Sequence, residues 1–197
     1  MAIQKTDQII AEGSTVFYRA SLVDQDSVRI PVADVDAITL TLTDSATGTV
    51  INSRDAQSVL NANNGTYVYS SASITGASNA EPIKITATAH GLSNGDWVHV
   101  TGVTGNSSAN GTWKVTIVDS NNVSLNNSSA NGNYVSGGTF TYSLFTMEFQ
   151  PDDNAIVTTD FGEDQVERHR ALFEVTYDTD KAVIRPIDLF VQQLANV

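Results

Sequence analysis

The chain has 197 residues, of which 41% are hydrophobic and 16% are charged, so it holds enough apolar material for a packed core and too much for a disordered chain. Its formal net charge of −12 argues against a nucleic-acid-binding surface, because such a surface neutralises phosphates with Lys and Arg. It has no cysteine, which excludes disulfides, thiolate catalysis and Cys-based zinc sites.

The first ten residues, MAIQKTDQII, lack the apolar stretch and the cleavage site of a signal peptide. No apolar run in the sequence approaches the ~20 residues that a membrane span requires. We therefore expect a soluble protein that is made in the cytoplasm and does not bind a membrane.

The N-terminal part of the chain predicts short β-strands joined by turns. Its strand segments alternate apolar and polar residues and are rich in Val, Thr and Tyr, which is typical of half-buried strands. These segments are Val16–Val23, Ala37–Asp44 and Thr66–Ala72. Residues 55–62, DAQSVLNA, are the main candidate for a short helix.

Residues 71–139 have a different composition from the rest of the chain. They hold three of the 22 acidic residues and two of the 10 basic ones, and they are filled with Asn, Ser, Gly and Thr. Both ends are small and polar, as at loop tips that tolerate domain insertions. Short strands are predicted at Ile83–Ala89, Trp97–Val103, Thr112–Asp119 and Asn122–Asn126, followed by a fifth piece at 133–140. Five such strands over about sixty residues suit a small closed β-barrel.

The C-terminal part returns to the first pattern. Strands are predicted at Phe140–Phe149, His169–Tyr177 and Ile184–Leu194, and residues 150–156 are expected to form a capped single turn. The whole pattern predicts an all-β fold, in which residues 1–70 and 140–197 form a discontinuous β-sandwich. Residues 71–139 interrupt this sandwich as an inserted barrel.

The inserted segment contains the same six residues twice, as NSSANGTW at Asn106–Trp113 and NSSANGNY at Asn127–Tyr134. A ligand site, for a sugar or for calcium, is one interpretation. Neither copy carries the carboxylates that calcium usually needs. Asn and Gly both tolerate the positive φ of tight β-turns, so we favour a turn that the chain uses twice.

The three histidines are candidates for catalysis or metal binding. His90 and His99 are nine residues apart with Asp96 between them, but the spacing matches no established metal motif. A histidine that hydrogen-bonds within its own turn is the favoured interpretation of His90. His169 lies among charged residues and is expected at a solvated edge.

Paired aspartates recur along the chain and could serve glycoside hydrolysis or calcium binding. Each pair falls in a predicted turn, where Asp side chains commonly accept hydrogen bonds from local backbone N–H groups, and this is the favoured interpretation. With no phosphate-binding loop and no nucleophile elbow, we expect no catalytic residue, no metal and no cofactor. The pairs are Asp24 and Asp26, Asp34 and Asp36, Asp152 and Asp153, and Asp178 and Asp180.

Aromatic residues in the inserted segment could stack on sugar rings, which would make this a carbohydrate-binding adhesion module. Trp97, Trp113 and Tyr134 are the candidate glycan contacts. A small barrel also needs large side chains to fill its centre, and core filling is favoured for these residues and for Phe140.

The flanking segments resemble the immunoglobulin-like domains of tailed-bacteriophage virion proteins, including the N-terminal domain of upper baseplate proteins. The motifs are a Gly-Ser-Thr start, Leu-x-Asp-x-Asp, a Pro-Val turn, D-x-x-T-G, and F-E-V-T-Y-D followed by a Lys turn and Arg185-Pro186. They lie in Glu12–Ile51, Gly65–Ser70, Phe140–Asn154 and Ala171–Val191. The sequence departs from the pattern with Ser27 where Gly is usual, and in the insertion itself.

The inserted segment is similar to the small barrel known as the first catalytic-cysteine half-domain of ubiquitin-activating enzymes. The motifs are AHGLSNGDWVHVTGV, NGTWKV, DSNNVSL and YVSGGTF, all between residues 89 and 140. The resemblance implies a fold and not ubiquitin chemistry, since that half-domain is not itself catalytic. It also implies that His90 and Gly91 are part of a fold signature.

Both resemblances imply a non-enzymatic structural protein of a tailed-phage virion, made in the host bacterial cytoplasm. We expect it to bind other virion proteins in a homo-oligomeric ring or array at the neck, the head–tail junction, the tail or the baseplate. A capsid decoration or minor capsid protein is the alternative. The contact candidates lie at the two chain ends, where apolar edge strands can pair across subunits. They are Ile9, Ile10, Asp188, Leu189, Phe190, Val191, Leu194 and Val197.

Overall fold

A computed structural model describes residues 9–24, 30–157, 166–178 and 181–193 of the chain. These residues form strands and three short 3-10 helices, so the all-β prediction is confirmed. None of the described helices is long and apolar enough to cross a membrane. The 3-10 helices are Val32–Asp34, Ser107–Ala109 and Pro151–Asn154. The strands are β1 (Ile9–Ala11), β2 (Val16–Ala20), β3 (Val35–Asp44), β4 (Gln57–Ser58), β5 (Gly65–Ser73), β6 (Gly76–Ala77), β7 (Lys84–Thr86), β8 (Trp97–Thr101), β9 (Gly111–Asp119), β10 (Asn122–Leu125), β11 (Thr139–Phe149), β12 (Val166–Tyr177) and β13 (Lys181–Gln192).

One sheet has the strand order β1-β13-β12-β3-β4. Strand β12 pairs antiparallel with β13 over its whole length and with β3 on its other side. Strand β1 instead pairs parallel with β13, with Ile9 opposite Phe190. The N-terminal strand therefore covers the last part of β13.

The strand order in the flanking segments is that of an immunoglobulin sandwich. Strands β2 and β5 both pair with β11. The Glu148 N–H donates to the Asn64 carbonyl (3.0 Å) and the Ile74 N–H donates to the Gly138 carbonyl (2.9 Å), so β5 and β11 run antiparallel. With β6 to β10 left out, the strand orders of the two sheets are β2-β11-β5 and β13-β12-β3-β4. In the strand lettering of immunoglobulin domains, these are the orders B-E-D and G-F-C-C′. The inserted strands thus lie between D and E, two hydrogen-bonded neighbours.

Two compact units divide the described chain. The first holds residues 9–19, 32–67 and the described part of 145–193, and the second holds 20–24, 30–31 and 68–144. The structure thus assigns residues 20–24 and 30–31 to the second unit, which the sequence did not suggest. The domain boundaries at 70/71 and 139/140 stay a prediction about independent folding.

The core of the first unit is organised around Phe173 on β12. Its ring stacks on Tyr18 at a centroid distance of 5.2 Å and meets Phe145 and Phe149 edge-on at 5.4 and 6.3 Å. Such aromatic pairs add roughly 0.5–1.5 kcal/mol each beyond their burial. Since Tyr18 is on β2 and the other two rings are on β11, these contacts join the two sheets of the sandwich.

A buried ion pair fixes the long connection after β3. Arg54 donates from Nε and Nη2 to the two carboxylate oxygens of Asp153, each at 2.8 Å. Asn52 Nδ2 and the Gln150 N–H donate to the same carboxylate, both at 2.8 Å. Burial raises the pKa of Asp153, but the hydrogen bonds from Arg54, Asn52 and Gln150 outweigh it and hold the pKa below its usual value. The capped turn predicted at residues 150–156 is confirmed as the 3-10 helix Pro151–Asn154.

The helix predicted at residues 55–62 is wrong. The segment forms β4 and turns, with positive φ at Ala56 (46°) and Asn61 (52°), and an α-helix admits neither. The Val59 N–H donates to the Ile38 carbonyl at 2.8 Å, and the Val59 side chain is fully buried. Pairing with β3 and burial of this valine outweigh local helix preference.

The second unit is built on the strand order β11-β8-β9-β10-β7-β6. Neighbours β8–β9, β9–β10 and β7–β10 pair antiparallel around their own apolar core. The closed barrel predicted for residues 71–139 is not found in the described pairings, which form an open row. β11, at one end of the row, pairs on its other edge with β5. Core members include Ile83, Ile85, Val98, Val100, Val115, Leu125 and Phe140.

The two copies of the repeated sequence bind one another. The Asn131 N–H donates to Asn106 Oδ1 (3.2 Å) and Asn131 Nδ2 donates to Ser107 Oγ (2.8 Å). The Ser108 N–H returns a bond to Asn131 Oδ1 (3.1 Å). We refer to this contact between residues 106–108 and Asn131 as the repeat clasp.

The prediction of one turn used twice is wrong in its geometry. The first copy forms a 3-10 helix, and its Asn110 has φ −70°. Positive φ occurs at Gly111 (133°) in the first copy but at Asn127 (61°) in the second. The copies differ because each adopts the shape that the clasp requires, so tertiary hydrogen bonds decide the conformation.

We expect Asn106→Ala to lower the free energy of unfolding of the second unit by about 1–3 kcal/mol. Asn106 is fully buried, and its loss leaves the Ser78 carbonyl (2.9 Å from Nδ2) and the Asn131 N–H without partners. Urea titration followed by tryptophan fluorescence measures the effect. The matched control is Asn133→Ala, an exposed site with one hydrogen bond to Asn79; equal effects of the two variants would contradict the role of the clasp.

Candidate functional site

Both ring nitrogens of His90 bind backbone groups of the protein. Its Nε2 lies 2.8 Å from the Asp119 carbonyl, and its Nδ1 accepts the Leu92 N–H at 3.1 Å. A carbonyl only accepts, so the proton is on Nε2 and the ring is neutral. The prediction of a structural histidine within a turn is confirmed.

His99 and Asp96 do not join His90 in a metal site. His99 Nδ1 lies 3.1 Å from Thr112 Oγ1, and Asp96 Oδ2 accepts the Ser93 N–H at 2.8 Å. Among the residues that the structure describes, no three His, Asp or Glu side chains are grouped to hold a metal ion.

The prediction that His169 lies at a solvated edge is wrong. His169 is fully buried, with Nε2 2.5 Å from a Glu167 carboxylate oxygen, and its Nδ1 has no hydrogen-bond partner among the described residues. The burial of β12 alternates, so His169 faces the same side as Ala171 and Phe173. Arg168 faces the other side, which a period-two reading of this strand predicts.

The aspartate pairs do not form paired catalytic carboxylates in the described residues. Asp153 is buried and ion-paired while its neighbour Asp152 is exposed, and both members of the pair Asp34 and Asp36 are exposed. Asp26 and Asp180 lie outside the described residues. The predicted bonding to local backbone N–H groups is seen at Asp153.

Three of the four aromatic residues predicted to fill the core of the inserted segment, Trp113, Tyr134 and Phe140, belong to or pack against the core of the second unit. Phe140 is fully buried, and Trp113 and Tyr134 pack against the core with their polar atoms occupied. Trp113 Nε1 donates to the Ala109 carbonyl (2.8 Å), and the Tyr134 hydroxyl donates to the Ile74 carbonyl (3.0 Å). Their role as glycan contacts, and that of half-buried Trp97, stays a prediction.

Three of the eight predicted assembly contacts at the chain ends are buried side chains. Leu189 and Val191 belong to the core of the first unit, and Ile10 is buried on β1. Phe190 is half-buried, whereas Ile9 is 56% exposed. Leu194 and Val197 lie outside the described residues. The burial follows from pairing, because β13 has neighbours on both sides where β1 covers it.

Asp188 is held by two arginines of the neighbouring strand. Arg168 Nη2 donates to one of its carboxylate oxygens, and Arg170 Nε lies 3.5 Å from the other. The hydrogen bond from Arg168 holds the pKa of Asp188 below its usual value. Asp188 is therefore charged at neutral pH and already paired within its own sheet.

Phe17 is an exposed aromatic that no sequence motif singled out. It lies on β2 with 66% of its surface exposed, while the next residue, Tyr18, points inward to Phe173. The sequence indicates this exposure in the run Val16-Phe17-Tyr18, because adjacent residues of a strand point to opposite faces. Three consecutive apolar residues must therefore place at least one on the outer face.

The outward side chains of the neighbouring strand β11 are polar. On β11, which pairs with β2, Phe145, Met147 and Phe149 are buried and alternate with half-buried Thr146 and Glu148. A large exposed aromatic on a polar face resembles the apolar anchors that are enriched in protein–protein interfaces. Phe17 is the candidate contact of the first unit.

One comparison with known proteins gives a match. Residues 82–143 match the family model of the ubiquitin-activating enzyme E1 FCCH domain. No curated protein sequence matches the chain. The inserted segment between β5 and β11 is therefore similar to a non-catalytic domain of an enzyme family, in agreement with the resemblance drawn from its motifs.

Proposed function

We propose that the protein is a non-enzymatic structural component of a tailed-phage virion, which acts by binding neighbouring subunits at the neck or the tail. The class of protein rests on the resemblance of the flanking segments to virion immunoglobulin-like domains. The immunoglobulin strand order of these segments supports it.

The observation that carries the mode of action is the exposure of Phe17. Burying a phenylalanine against a partner removes apolar surface from water, and truncating an aromatic anchor of this kind costs about 2 kcal/mol or more of binding energy. The strand around it is part of a rigid sheet, so the ring is presented without a large ordering cost.

The side chains that could act in catalysis are bound within the protein itself, which supports a non-enzymatic role. His90 has both ring nitrogens bound to backbone groups, and Asp153 accepts four hydrogen bonds from its own chain. These groups stabilise turns of the protein by hydrogen bonds. Asp188 is likewise bound to arginines of its own sheet.

The test uses a phage genome that encodes the chain, with the gene deleted and then supplied in trans. We expect the wild-type chain to be present in gradient-purified particles, and Phe17→Ser to reduce its incorporation by an order of magnitude or more. Quantitative immunoblotting of the particles measures both. A count of six or twelve copies indicates a ring at the neck or tail, and hundreds of copies indicate a capsid decoration.

The matched control is Val135→Ser, which removes an apolar side chain that is 72% exposed in the second unit. Particles that lack the wild-type chain would overturn the proposed function. Normal incorporation of Phe17→Ser would overturn the contact. Point variants are needed because deletion of Asp188–Val197 removes the core residues Leu189 and Val191 and is expected to unfold the first unit.

A further inference from the structure

A polar cleft of about 390 Å³ opens beside the buried ion pair of the first unit. Its volume lies within the range of small-molecule sites. The buried Arg54 lines the cleft. The other lining residues include Asn52, Gln57, Asn63 and Asp152. None of the described residues that line the cleft is aromatic, so a ligand here would be recognised by hydrogen bonds.

Three of the amide side chains that line the cleft each use one end to bind the protein. Asn52 Nδ2 donates to the Asp153 carboxylate and Asn63 Nδ2 donates to the Ser58 carbonyl, both at 2.8 Å. Arg54 Nη1 donates to Gln57 Oε1. Because carboxylates and carbonyls only accept and arginine only donates, these contacts fix the orientation of each amide.

The opposite ends of these amides have no partner among the described residues. Asn52 Oδ1 and Asn63 Oδ1 are acceptors, and Gln57 Nε2 carries two N–H donors. The exposed carboxylate of Asp152 adds acceptors. The cleft therefore combines donors and acceptors on side chains that are already oriented.

We propose that this cleft binds a neutral, hydroxyl-rich ligand of monosaccharide size. Each hydroxyl both donates and accepts, which suits a site that offers Gln57 N–H groups beside amide and carboxylate oxygens. The Arg54 charge is balanced by Asp153, so Asp152 leaves the cleft acidic and disfavours anions. Without an aromatic platform, we expect the binding to be weak.

The backbone around the cleft is held in an unusual conformation that supports this assignment. Asn52, Ser53, Ala56, Asn63 and Asn64 all have φ between 46° and 72°. Ser53 and Ala56 lack the side-chain amide that makes this region accessible to Asn, so their conformations cost energy that the surrounding contacts must outweigh. The backbone that carries these lining residues is thus shaped by the fold, which lowers the entropic cost of binding.

The experiment titrates the whole chain with methyl glycosides of glucose, galactose and N-acetylglucosamine, followed by saturation-transfer NMR. We expect saturable binding of at least one glycoside to the wild type. Gln57→Glu keeps an acceptor for Arg54 but removes both donors, and Asp152→Asn removes the carboxylate. Each is expected to raise Kd about tenfold, as for the loss of one good hydrogen bond.

The matched control is Asp55→Asn, an exposed neighbour in the same loop that does not line the cleft. It is expected to bind like the wild type. Thermal unfolding shows whether each variant is folded. Absence of saturable binding to the wild type would overturn the proposal, as would equal weakening by Asp55→Asn or no effect of the two cleft variants. The inference is independent of particle incorporation, which is measured separately.

Discussion

Arg54→Ala is expected to lower the free energy of unfolding of the first unit by about 3–5 kcal/mol. Arg54 and Asp153 are both buried, and their ion pair joins the connection after β3 to the 3-10 helix after β11. Without the arginine, the carboxylate keeps its desolvation cost and loses its main counter-charge. The Arg54 bond to the Asn63 carbonyl (3.0 Å) is lost as well. Urea titration followed by far-ultraviolet circular dichroism measures the change.

The matched control is Arg168→Ala, which breaks an ion pair in which 47% of the arginine side chain is exposed. Such pairs contribute about 0–1 kcal/mol, so a loss equal to that of Arg54→Ala would contradict the prediction. The pH dependence gives a second readout. The folded-state pKa of Asp153 lies below its usual value of 3.8, so its contribution is present above that value and is lost as the pH falls through the folded pKa. Arg54→Ala is expected to remove this acid-sensitive contribution.

The long strands were predictable because their signal is local. Alternation of apolar and polar residues located β3, β5, β9, β11, β12 and β13 to within a few residues, and it predicted the all-β class. Strands β1, β4 and β6 were not predicted, because two or three residues carry no periodicity. They form through pairing with distant strands, such as β1 with β13.

The candidate sites depend on contacts that no local pattern reports. Arg54 and Asp153 are 99 residues apart, and each looks like an ordinary turn residue in the sequence. The repeat clasp is a similar case, since two identical hexapeptides adopt different conformations. The exposure of Phe17 and the burial of His169 differ from these two cases, because alternation of side chains along each strand predicts both.

The difference between Phe17 and Phe173 also separates the two roles that an aromatic residue has in this protein. The exposed ring of Phe17 makes little contribution to folding and is the proposed partner contact. The ring of Phe173 is almost fully buried and packs against rings of the opposite sheet. Substitutions at the two positions should therefore affect different measurements.

Phe173→Ala is expected to lower the free energy of unfolding of the first unit by about 3–5 kcal/mol, the usual cost of deleting a buried phenylalanine ring. The ring contacts of Tyr18, Phe145 and Phe149 with Phe173 are lost together, and a cavity is left between the sheets. Since single domains have only about 5–15 kcal/mol of stability, the transition of the first unit should move to much lower denaturant.

The two tryptophans, Trp97 and Trp113, both belong to the second unit, so tryptophan fluorescence follows that unit while far-ultraviolet circular dichroism follows both. The second unit has its own core, and we expect its fluorescence midpoint to be unchanged in Phe173→Ala. Phe17→Ala is the matched control and should change neither transition by more than about 0.5 kcal/mol. A fluorescence midpoint that falls together with the dichroism signal would mean that the two units unfold as one, and the description of the inserted segment as an independent folding unit would be wrong.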